Sequence, residues 1–187
     1  VPSQEWIKNN TCLEKKDLEK LDLSLSMIGS TDVFCDQKKW GLLIDKFILQ
    51  NKLEKADSVC KLFYNSISKN TCKPAIGLYY YSKGNLKSSS FDSASVYLVK
   101  AREQAINVND TLLQLKATAR LANLFIKIRQ PDKAIEYDRL GIKLFSQFLN
   151  DGLQVQFYSN MIGHFGVWYD ISEDTKYLDS MKKYLPV

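Results

Sequence analysis

Histidine is almost missing from this chain: His164, in "GHFG", is the 1 histidine among 187 residues. No glutamate stands beside it at metal-site spacing, and there is no "GxSxG" elbow and no glycine-rich phosphate loop. The common signatures of metal, nucleophilic and nucleotide chemistry are therefore absent, and no enzyme activity, metal or cofactor is expected. Proline and glycine are scarce, at 4 and 8 residues, which argues against a many-turned β protein. No run of about 18 apolar residues occurs, so no segment reads as a membrane span, and the opening "VPSQEW" lacks the basic and apolar regions of a leader. A basic block is missing as well. The 26 basic and 21 acidic residues, net +5, are interspersed as in "EKKDLEKLD", so nucleic acid is not an expected partner.

What is present is helical periodicity. In "KKWGLLIDKFILQNKLEKADSVCKLF", Trp40, Leu43, Ile44 and Phe47 recur at three- and four-residue intervals, as do Leu53, Ala56, Cys60 and Phe63 after a short polar break. Two amphipathic helices so closely joined run antiparallel and pack face to face. One hairpin cannot bury both its faces, and copies follow. "AIGLYYYSKG" and "FDSASVYLVKA" carry Gly77, Tyr80, Phe91, Ala94, Leu98 and Ala101; "ATARLANLFIKIRQPDKAIEYDRLGIKLF" carries Leu121, Ala122, Phe125, Ala134 and Gly141. Helix pairs are expected to begin near Trp40, Ala75 and Leu115, with Ala56, Ala94 and Ala134 at close helix contacts. A fourth copy runs from "LQVQFYSNMIGHFGVWYDI" into "EDTKYLDSMKKYL", with Gly163 at its small position. Upstream, one helix capped by Thr11 and stopped by Gly29 is expected to cover the first pair.

This pattern of aromatic and small residues resembles the tetratricopeptide repeat (TPR) family over roughly Gln37 to Tyr184, with irregular repeats similar to those of bacterial regulators and sensors. Gly84 stands where the family has its turn glycine, whereas "LQNKLEKA" lacks one and "IRQPDKA" replaces it. The resemblance implies an all-α, right-handed superhelical solenoid. It is one domain over 1–187, with a capping region at 1–36 and units at 37–69, 70–114, 115–152 and 153–187. It also implies a concave groove lined by the first helix of each unit. Helical phase from Trp40, Tyr80 and Phe125 puts Asp45, Ile48, Leu78, Tyr81, Asn123, Ile126 and Lys127 there, with Asn160, His164 and Trp168 from the fourth unit. Of the "YYY" run, Tyr80 is expected in the core and Tyr81 in the groove. Co-chaperone members of the family grip a carboxylate with Lys, Asn and Arg. Gly41, Asp45 and Leu78 occupy the corresponding positions here, so that clamp is not expected.

The trough is mixed aromatic and polar, which suits a protein or peptide segment, and a non-catalytic binding scaffold is the expected function. The alternative is a ligand-sensing, extracytoplasmic input domain of a bacterial sensor kinase or transcriptional regulator; an enzyme of unrecognised type ranks third. The compartment stays open between cytoplasmic and extracytoplasmic, and the cysteines bear on it. Cys12, Cys35, Cys60 and Cys72 lack zinc-site spacing. Cys60 and Cys72 come within disulfide reach if their connection folds back tightly, and are expected to bond in an oxidising compartment. Buried free thiols are the alternative.

Overall fold

The computed structural model describes residues 33–69, 73–145 and 151–182. Thr11 and Gly29, the expected bounds of the capping helix, lie outside them. Among the described residues every regular element is a helix: α1 Val33–Leu49, α2 Leu53–Lys69, α3 Lys73–Leu86, α4 Phe91–Asn107, α5 Thr111–Lys127, α6 Pro131–Phe145, α7 Asp151–Ser172 and α8 Lys176–Lys182. The protein is all-α, as the periodicity indicates. None of these helices is long and apolar enough to cross a membrane.

The stripes read from the sequence are largely the buried faces, except that Leu53, the first residue of α2, is 46% exposed. In α2, Ala56, Val59, Cys60, Phe63 and Ile67 face inward, and Trp40, Leu43 and Phe47 of α1 pack around them with fully buried Ile44. The Trp40 and Phe63 rings stack at 6.4 Å. Burying a side chain such as Phe63 contributes about 2 kcal/mol, so a few such positions outweigh the weak propensity of these sequences for isolated helix. Ala56, Ala94 and Ala134 are fully buried, as expected of close helix contacts. Between α2 and α3, Lys83 Nζ lies 2.6 Å from Asp57 Oδ1 and Lys61 Nζ 3.0 Å from Oδ2. These two ammonium groups hold the Asp57 carboxyl down at about 2.

Each helix packs on the next in the chain, and α1 also meets α3, α3 meets α5 and α5 meets α7; no even-numbered helix packs on another even-numbered helix among the described residues. The odd-numbered helices therefore form one continuous row. α5 sits at its centre and buries Leu113, Leu115, Ala117, Thr118, Ala119, Leu121, Ala122 and Leu124, leaving open the face of Lys116, Arg120 and Lys127.

Several expected boundaries shift, for local reasons. α5 starts at Thr111 rather than near Leu115, because the Asp110 carboxylate accepts the Leu113 N–H at 2.9 Å and caps the helix there. Gly84 ends no helix: α3 continues to Leu86, and a Cβ on Gly84 would stand 2.7 Å from Leu98 Cγ. Its role is the close approach of α3 and α4. The left-handed turn positions fall instead to Asn51 (φ 54°) and Arg129 (φ 55°). In the fourth pair Gly163 is exposed, and a Cβ there would meet nothing within 4 Å. It is not the small contact residue that the repeat register puts there; Met161, His164 and Phe165 take the packing face.

Cys60 is a free, fully buried thiol in the core between α1, α2 and α3, and burial pushes it up to about 11. It packs among Ile44, Phe63 and Ala75, and its expected partner lies outside the described residues. Cys72 and Cys12 lie outside the described residues, as does the Cys35 side chain.

Candidate functional site

The row of odd-numbered helices carries two adjoining hollows, of about 460 and 290 Å³. Asp45 lines both, so the two adjoin at that residue; α1, α3 and α5 supply most of the lining of this groove, with Leu98 of α4 in the first hollow. Ile48, Leu78, Tyr81 and Leu112 give it apolar wall. On the α5 side, Lys116, Arg120, Asn123 and Lys127 recur at intervals of four, three and four residues, which puts them on one face of that helix.

Asp45 is the titratable centre. Burial raises its pKa; the nearby charges of Arg120 and Lys116 and a hydrogen bond from the Asn85 side chain pull it down, and burial prevails. A carboxylate so placed gains most from a further hydrogen-bond donor, such as a peptide N–H or an ammonium group. Asp110, also in the lining, is committed to its cap.

Asp45, Ile48, Leu78, Tyr81, Asn123 and Lys127 thus come together as helical phase places them. Tyr81 is half-buried, packing against the cluster of Ala94, Leu98, Leu121 and Leu124 while lining the groove. Tyr80 stacks on Tyr97 at 6.3 Å, and Tyr79 joins the first core cluster. The three tyrosines do not form one platform. Ile126 is half-buried and lines neither hollow.

The fourth-unit candidates do not reach the groove wall. His164 is only 5% exposed. Its Nδ1 is hydrogen-bonded to Asp138 Oδ2, and its Nε2 lies 3.3 Å from Asn123 Oδ1. It stands behind Asn123 and ties that amide's oxygen to the interior. Trp168 stacks flat on Tyr177, rings 4.9 Å apart, within the packing of α7 and α8. Asn160 has a buried Nδ2 without a hydrogen-bond partner and lines neither hollow.

Sequence reasoning missed Lys116, Arg120, Asn85 and Asp138. The first two had a visible signal, since they extend the Asn123–Lys127 face by two turns. So did Asp138, a lone acid in the apolar α6 stripe of Ala134, Ile135 and Ile142. That carboxyl is fully buried, and burial raises its pKa against the pull of His164.

Among the described residues no group of three or more His, Cys, Asp or Glu is placed to hold a metal ion. Comparison of the chain with protein-family models, with curated proteins and with solved structures gives no match.

Proposed function

We propose that the protein is a non-catalytic binding scaffold of TPR-like design, a right-handed superhelix of helix pairs that takes a protein or peptide segment into the groove of α1, α3 and α5. Support for the architecture comes from the packing order, in which odd-numbered helices touch one another and even-numbered ones do not. The observation that carries the function is the joining of the two hollows at Asp45. Apolar and polar groups from three helices line the two hollows together. In this reading Leu78, Tyr81 and Ile48 receive apolar side chains of the segment. Asp45 and the Nδ2 of Asn123 bond its backbone, and Lys116, Arg120 and Lys127 favour acidic residues in it.

Selection from a random peptide library against the full chain tests this. Enriched sequences should combine acidic and apolar residues. Tyr81→Ala and Asn123→Ala should each weaken the best peptide by about 1 to 2 kcal/mol with the helical circular dichroism unchanged. Glu103→Ala and Asp132→Ala, at exposed positions of even-numbered helices, should not. Loss confined to the second set would move the binding face away from the groove.

A further inference from the structure

A third hollow, of about 570 Å³, shares no residue with the groove. It lies where α4, α5 and α6 meet, and its composition is lopsided. Arg102, Lys133, Arg139 and Lys143 line it with a single carboxylate, Glu136. Four cations against one acid leave an excess of three positive charges at one place, in a chain whose basic and acidic residues are elsewhere interspersed.

Three of those charges are not neutralised internally. Among the described residues no ion pair holds Arg102, Lys133 or Arg139. Arg102 is the telling one, because its Nε is buried and has no hydrogen-bond partner. A guanidinium stays charged at any accessible pH, so a buried N–H without an acceptor is a standing cost of the fold. Nε is also one arm of the fork with which Arg grips two oxygens of an anion at once. The lining also holds aromatic and apolar groups. Phe125 and Tyr137 stack at 5.4 Å with 14° between their planes, Leu140 lies beside them, and Lys133 Nζ sits 5.4 Å from the Phe125 ring centre.

We propose that this hollow is a second binding site, for a small molecule that carries a phosphate group on a planar body. A carboxylate would be satisfied by Arg102 alone. A phosphate dianion offers further oxygens and a second charge, which gives Lys133 and Arg139 something to pair with. The aromatic pair supplies the surface on which a ring of the ligand lies, and the volume falls in the range of ordinary small-molecule sites. Glu136 opposes the anion and limits its affinity. The site is independent of the groove, and neither reading stands or falls with the other.

Calorimetric titration of the full chain with phenyl phosphate, inorganic phosphate and phenol at low salt is the test. Phenyl phosphate should bind saturably, inorganic phosphate more weakly, and phenol not detectably. Arg102→Gln should weaken phenyl phosphate by about tenfold or more, Arg102→Lys should recover only part of it, and Glu136→Gln should tighten it. If Arg102→Gln fails the circular dichroism check for folding, Arg139→Gln decides, because that exposed side chain supports no core contact. Arg120→Gln, in the groove, should leave binding unchanged. The proposal fails if no anion binds saturably, if phenol binds as well as phenyl phosphate, or if Arg120→Gln is as damaging as the substitutions in the hollow.

Discussion

The two helices of the second pair, and the third and fourth pairs where they dock, come together with opposite chemistry. α3 and α4 meet on small and apolar groups: Gly84 against Leu98, with Ala94 and Ala101 fully buried nearby. α7 instead docks on α6 and α5 through a buried polar chain, Asp138 to His164 to Asn123, set among Ile135, Met161 and Phe165. The first arrangement sets how near two axes come and leaves their rotation to shape alone. The second fixes rotation, because a hydrogen-bonded side chain has one position, and it carries a desolvation cost that apolar contact avoids. The polar seam also ends at the groove, so the fourth pair holds Asn123 in place without itself lining the site.

Removing the polar seam should have the largest effect. His164→Ala leaves Asp138 buried with neither oxygen partnered, since Oδ1 already has no hydrogen-bond partner. Urea unfolding should show a loss of about 3 kcal/mol, and the double replacement Asp138→Leu with His164→Ala should cost less than the single. If His164→Ala costs no more than a surface substitution, the seam does not anchor α7 and the contrast with the second pair disappears.

Filling the apolar contact comes next. A methyl group at Gly84 would stand 2.7 Å from Leu98 Cγ and 2.9 Å from Cδ2, and Leu98 is itself only 2% exposed. The leucine cannot retreat into solvent, so Gly84→Ala should lower stability by about 1 to 3 kcal/mol, even though alanine is the better helix former. Chemical denaturation measures it. A neutral result would mean that α3 and α4 slide apart readily, and that Gly84 was better read as a turn residue after all.

How legible each pair was in the sequence follows from the same contrast. The first three pairs announce themselves because close contacts select small residues, and Ala56, Ala94 and Ala134 recur on apolar stripes that can be phased. The same phase groups Asp45, Leu78, Tyr81, Asn123 and Lys127, which line the two hollows. Gly84 was misjudged because a glycine near a helix end serves approach and turning equally well, and the turns themselves went to Asn51 and Arg129, which carry no glycine signal. In α7, "MIGHFGVWY" is apolar or aromatic almost all the way round, so no single face stands out and the register of Asn160, His164 and Trp168 could not be set. The outer hollow was invisible for another reason. Arg102 and Lys133 are distant along the chain, and each reads alone as a solvated charge.

The smallest effect separates the two glycines directly. Gly163 lies within α7, exposed, and a Cβ there would find no neighbour within 4 Å. A repeat register that made it a contact residue would predict damage on substitution, as at Gly84. The structure predicts the reverse: Gly163→Ala removes backbone freedom from the unfolded chain, adds a good helix former and meets no obstacle. Stability should rise by about 0.5 to 1 kcal/mol. Thermal unfolding followed at 222 nm should resolve the change as an upward shift of a few degrees for a chain of this size. A loss instead would show that α7 presents its Gly163 face to something after all, and would restore the fourth pair to the packing scheme of the second.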